Sequence, residues 1–192
     1  MKYKHFGPGV TLGETVTIGI DQSYSGFGFA VVGSDNSYFV EVVQFGGQGV
    51  DRLVDIYEYL TTKHVQITAA GNKVLDIAME GYSYGSQVAH KAGELGAVVK
   101  MNLKNTYGVY PLIVPPTSLK KYVTGKGNAS KKSQVMLHVY KKWGIELLDD
   151  NAADAYSLAK LASKHAATSY EKEVVDLLMS DPKYRERTDH VI

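Results

Sequence analysis

The stretch Ile18-Gly19-Ile20-Asp21-Gln22-Ser23-Tyr24-Ser25-Gly26-Phe27-Gly28-Phe29-Ala30 decides the fold of this chain. The run Val16-Thr17-Ile18-Gly19-Ile20 ends on Asp21, a Ser/Gly turn follows, and a second apolar run begins at once. That pattern predicts a β-hairpin whose first strand carries an acid at its carboxyl end. Working outward, acids recur at the ends of two further apolar elements. Glu80 closes Val74-Leu75-Asp76-Ile77-Ala78-Met79, and Asp150 and Asp154 lie one helical turn apart at the start of the apolar segment Ala152 to Ala162. A carboxylate at the tip of a buried strand is costly to desolvate unless a cation or hydrogen bonds compensate it. Several such acids in one chain point to a hard metal ion, Mg²⁺ first and Mn²⁺ as a substitute. Two such ions, about 3.5–4 Å apart, suit in-line displacement at a phosphodiester.

The hairpin extends into three strand candidates, Thr15–Asp21, Gly26–Val32 and Ser37–Phe45, which read as an antiparallel meander. Helical spacing of Leu53, Ile56, Tyr57 and Leu60 predicts a helix from Val50 to His64. A fourth strand, Val74–Glu80, a second helix, Ser86–Asn102, and a fifth strand, Tyr107–Val114, follow. Two helices then flank a Gly-rich loop, the second N-capped by Ser130 and ended by Gly144, with Tyr140 and Trp143 on its packing face; the acidic helix comes next. The order β-β-β-α-β-α-β-α-α predicts an α/β fold with a five-stranded mixed sheet, a three-strand meander plus two parallel strands, flanked by helices. If the fourth strand pairs with the first, Asp21 and Glu80 emerge at the same end, where ligands of such sheets commonly bind. Residues 1–14, with Gly7-Pro8-Gly9, read as a flexible arm, 15–168 as the domain, and 169–192 as a helical tail packed on it or extending from it.

A chain of 192 residues fits one domain, the usual allowance being roughly 100–200 residues. Its sequence holds no apolar run of the ~18 residues that span a bilayer and no signal-peptide pattern. The absence of cysteine excludes disulfides, thiolate zinc sites and cysteine nucleophiles, and suits a reducing cytoplasm. Net charge is only +1, yet seven lysines and no acid lie between Ser118 and Lys142, which predicts one local anion-binding surface. Within it, Lys120, Lys121, Lys126, Lys131 and Lys132 flank the glycines of Thr124-Gly125-Lys126-Gly127-Asn128-Ala129-Ser130, where backbone can approach phosphate closely. None of the six histidines has ligand spacing.

The opening stretch resembles the first hairpin of the RuvC family of Holliday junction resolvases, within the RNase H-like superfamily. Ile77-Ala78-Met79-Glu80, the helix containing Ala92-Gly93-Glu94-Leu95-Gly96-Ala97, Lys121-Tyr122-Val123-Thr124-Gly125-Lys126-Gly127 with Lys132-Ser133-Gln134-Val135, and Asp150-Asn151-Ala152-Ala153-Asp154-Ala155 continue the resemblance in order, from Thr15 to Ala162. It implies that Asp21, Glu80 and Asp154 hold the metals. The family's fourth acid falls on Asn151, so either its amide oxygen coordinates or Asp150 substitutes; the charge of two cations favours Asp150. It further implies DNA contacts from Lys121 and Lys132, the latter near the reacting phosphate, with Tyr82 and Tyr84 beside the metals for stacking on bases. Homodimers that cut branched DNA at two sites follow from the same resemblance, with helix Ser86–Asn102 as an interface through its small residues. The chain's shortness, lack of cysteine and fourth-site departure suit a phage-encoded member, acting in a bacterial cell or infected host.

A rival pattern is Gly81-Tyr82-Ser83-Tyr84-Gly85, which matches the nucleophile elbow of serine esterases, with Asp150 or Asp154 and then His165 in the expected order. It leaves Asp21 and the lysines without a role. Two further alternatives are a non-catalytic module that binds branched DNA and an actin-like nucleotide fold, which would need a second related domain.

Overall fold

The structure, a computed structural model, describes residues 3–6, 12–81, 89–128 and 132–185. In chain order the elements are β1 (Tyr3–Phe6), β2 (Thr15–Asp21), β3 (Phe27–Gly33), β4 (Tyr38–Val43), α1 (Gly49–Ala69), β5 (Lys73–Glu80) and α2 (Ala89–Tyr107). Then come β6 (Leu112–Val114), α3 (Pro116–Thr124), α4 (Lys132–Trp143), α5 (Asp150–Ala162), α6 (Ser169–Ser180) and a 3₁₀ turn at Pro182–Tyr184. The strands form one mixed sheet in the order β1-β4-β3-β2-β5-β6. The β2-β3-β4 meander is antiparallel, and β5 and β6 run parallel to β2, so the α/β class and the placement of the fourth predicted strand beside the first hold.

The sheet has six strands rather than five. Tyr3–Phe6 was expected in a flexible arm, but it pairs antiparallel with β4, and the His5 ring stacks on Tyr38 at 5.6 Å. Four residues are too few to show a period, and their ladder partner lies far along the chain. The expected strand Tyr107–Val114 shrinks to Leu112–Val114, because α2 runs on to Tyr107 and ends at Gly108 with φ 69°. Tyr140, expected on a packing face, is exposed on α4. The N-cap assigned to Ser130 falls outside the described residues. The tail does more than lean on the domain: Val174, Val175 and Leu178 of α6 are buried in the core.

Strand alternation sends Val16, Ile18 and Ile20 of β2, Phe27, Phe29 and Val31 of β3, and Ile77 and Met79 of β5 to one face. There they pack on Ile56, Leu60 and Ile67 of α1 and Leu95, Val99 and Leu103 of α2. The opposite face, with Ala30, Val32, Ala78, Leu112 and Val114, is covered by α3 to α6. The sheet is thus buried on both sides, and only its ends and edges meet solvent.

Candidate active site

The residues of β2 that face α5 are Thr17, Gly19 and Asp21, and they engage the helix in regular steps. The Thr17 hydroxyl donates to the Ala159 carbonyl at 2.8 Å. A Cβ on Gly19 would lie 2.0 Å from the Ala155 carbonyl oxygen, and one on Gly28 2.4 Å from that of Asn151. Two strand residues advance about 6.6 Å and four helix residues about 6 Å, so strand and helix stay in step. The next step along β2 carries Asp21 to the first turn of α5, where Asp150 and Asp154 sit. Glycine at 19 and 28 is what allows the helix backbone to rest directly on the sheet.

Parallel pairing of Ile20 with Met79 brings Glu80 level with Asp21, and alternation turns both side chains to the α5 side. Only 5 % of Asp21 is exposed. Burial, first, and then the charges of Glu80, Asp154 and Asp150 hold its carboxyl well above the usual carboxylate range. A side-chain hydrogen bond with Glu80 works in the same direction, favouring the protonated carboxyl. Among the described residues no three Asp, Glu or His side chains converge on one coordination point. The donor chemistry nevertheless fits hard divalent cations: four carboxyl groups act on one another, and every electrostatic influence on Asp21 opposes its ionisation.

At the fourth position the two alternatives differ in what they touch. Asp149, not Asp150, caps α5, its Oδ1 accepting from the backbone of Asn151 and Ala152. The Asn151 amide nitrogen donates to the same oxygen at 3.1 Å and faces Gly26. Asp150, in the first turn, acts electrostatically on Asp21.

Gln22 was not singled out from the sequence. Its Nε2 donates to the Glu80 carbonyl at 2.8 Å, and its amide rests against Gly96 of α2, where a Cβ would lie 3.2 Å from Oε1. It therefore ties the tips of β2 and β5 together beneath both acids. Its place directly after Asp21 was the available signal.

The basic loop returns to the acid end. Glu80 pairs with Val114, α3 begins immediately after it, and Gly127 comes back to within 3.2 Å of the Thr117 carbonyl from where a Cβ would be. Lys126 is exposed there and Lys120 half-buried. Lys121 pairs with Glu173 of α6 at 2.6 Å. Lys142 faces inward, 2.5 Å from the buried Glu171. Lys132 begins α4, while Lys131, Tyr82, Ser83 and Tyr84 lie outside the described residues. On α2, Gly96 faces inward to Gln22, whereas Gly93 meets open space and Ala97, one turn on, is exposed.

The esterase pattern fails on geometry. His165 follows the carboxyl end of α5, at the start of β2, whereas Asp150 begins the helix, about 18 Å away along its axis. Asp154 is likewise turned to Asp21 and not to His165.

No family model and no curated protein sequence matches the chain. Solved structures do. RuvC of Thermus thermophilus superposes with a TM-score of 0.59 at 20% identity, over 88% of this chain and 98% of that one. The same protein in complex with Holliday junction substrate gives 0.60 at 19%, over 88% and 97%. The yeast mitochondrial Holliday junction resolvase Ydc2 gives 0.50 at 15%, over 91% and 84%. The chain has the RuvC-like, RNase H-like fold.

Proposed function

We propose that this protein is a Mg²⁺-dependent endonuclease that cleaves branched DNA, four-way junctions first among them. The observation that carries the reading is the buried Asp21 carboxyl set among Glu80, Asp154 and Asp150 at the carboxyl end of the central strands. Asp21, Glu80, Asp154 and Asp150 would hold the cations. Two divalent ions bound by these groups would supply a more acidic water and stabilise the charge on the leaving oxygen. The residues themselves do three things. Asp21 and Glu80 lie together where burial and neighbouring acids disfavour the Asp21 charge, and bound cations would favour its ionised form. Gln22 fixes the Glu80 backbone, and the glycine-floored seat of α5 fixes Asp154 and Asp150. Lys126, with Lys120, Lys131 and Lys132, would guide the phosphate backbone to that end of the sheet. The fold it shares with a RuvC solved with Holliday junction substrate supports a junction as substrate; cutting two strands would need two sites, which a homodimer would supply.

The test is cleavage of four-way, three-way and linear DNA with Mg²⁺ by the wild type and by Asp21→Asn and Glu80→Gln. Each variant is expected to lose cleavage by at least about 10²-fold, the scale of a lost electrostatic stabiliser, while still binding junctions. Wild-type binding without cleavage in either Mg²⁺ or Mn²⁺ would make the chain a binding module. Full cleavage by the two variants would overturn the mechanism.

A further inference from the structure

At the end of the sheet away from the acids lies a second cavity, of about 420 Å³, between the start of β2, the end of β3, β5 and the carboxyl end of α5. Lys160 lines it and is only 4% exposed. Among the described residues its ammonium makes one hydrogen bond, to Asn36 Oδ1 at 3.0 Å, and no ion pair. Burial lowers its pKa. A buried ammonium with two of its three protons unused is expensive unless something else accepts them.

The carboxylate that lines the cavity is already taken. Asp76 also lines the cavity, but Arg185 Nη2 holds both its oxygens, at 2.9 and 2.8 Å. Lys164 and His165 stand at the exposed rim; burial and Lys160 lower the His165 pKa, which keeps the ring neutral at pH 7. Val32 and Leu75 supply apolar wall. The chamber thus combines a cationic floor with walls for an apolar body, and its volume falls within the range of about 300–1,000 Å³ typical of small-ligand pockets. From this geometry we infer that the cavity binds a small phosphomonoester of mononucleotide size, with its phosphate on Lys160 and its ring or chain against Val32 and Leu75. The site lies beyond the proposed nuclease centre and is independent of it.

The experiment is calorimetric titration of the full chain with adenosine 5′-monophosphate, adenosine and orthophosphate, in EDTA and at low salt. The monophosphate is expected to bind, and adenosine and orthophosphate each at least about tenfold more weakly, since each lacks one half of the recognition. Lys160→Met keeps the aliphatic stem and removes the charge, and it should weaken monophosphate binding by about tenfold or more. Leu75→Trp, at a position 57% exposed and therefore tolerant of a larger ring, should abolish binding by filling the chamber. Asp21→Asn should bind as the wild type does, which separates this site from the acidic one. The inference is overturned if the monophosphate does not bind, if both Lys160→Met and Leu75→Trp bind it undiminished, if binding depends on Lys126 instead, or if orthophosphate binds equally well.

Discussion

Asp21 is held in conflict by its neighbours, and the conflict has a measurable sign. Burial and three acids raise its folded-state pKa above the ordinary 3.8, so carrying the charge costs the folded protein and not the unfolded chain. Below about pH 3.8 the group is protonated in both states and the cost vanishes. As pH rises through that value towards the raised one, stability falls. Asp21→Asn escapes this, so in EDTA it should unfold at higher urea than the wild type at pH 7, and the two midpoints should converge as pH drops below 3.8. Equal midpoints at both pH values would contradict the electrostatic picture. Gln22 acts at the same scale. Gln22→Leu removes the donor to the Glu80 carbonyl, and it should lower the cleavage rate or Mg²⁺ affinity by about 10–100-fold while junction affinity stays unchanged. Asp21 and Glu80 were legible because each terminates an apolar run. The choice between Asp150 and Asn151 was not, because both lie within one turn of Asp154, and only the capping by Asp149 separates them.

Among the elements, α5 sets the geometry, and Gly19 and Gly28 set α5. Gly28→Ala places a methyl 2.4 Å from the Asn151 carbonyl, and backbone, unlike a flexible side chain, cannot step aside. Overpacking of this kind costs about 1–3 kcal/mol and here also lifts the first turn that carries Asp150 and Asp154. Urea titration should show the loss, and cleavage should fall by more than stability alone accounts for; an active, fully stable variant would refute the close-approach argument. The hairpin was readable from its apolar runs and turn. The reason for its glycines was not, because the helix that rests on them lies more than a hundred residues further on. Nor was β1, whose four residues acquire strand character only from β4 beside them.

Across the whole molecule, the lysine-rich segment divides its labour in a way that charge counting cannot see. Lys126 is exposed at the loop, whereas Lys142 lies inside, against the fully buried Glu171 and the faces of Tyr122, Trp143 and Tyr170. Burial works to raise the Glu171 pKa, but Lys142 and Thr168 outweigh it and hold the carboxyl below its usual range. Lys142→Met would leave Glu171 Oε1 without its cation while Oε2 keeps its bonds from Ala167 and Thr168, and should destabilise the fold by about 1–3 kcal/mol by chemical denaturation. A change below about 1 kcal/mol would show that the pair is not structural. The sequence predicted one anion-binding surface from this whole segment; the aromatic cluster that encloses Lys142 arises only when α3, α4, α5 and α6 meet.

The glycine floor of the central strands also has a temporal meaning. Thr17 and Ala159 are 142 positions apart, and β2 through β5 leave the ribosome long before α5 does. Through that interval the nascent chain carries Asp21 and Glu80 without the helix that supplies Asp150 and Asp154. On the proposed reading, the growing polypeptide is harmless to nucleic acid near its place of synthesis. It is armed only when α5 closes over the sheet.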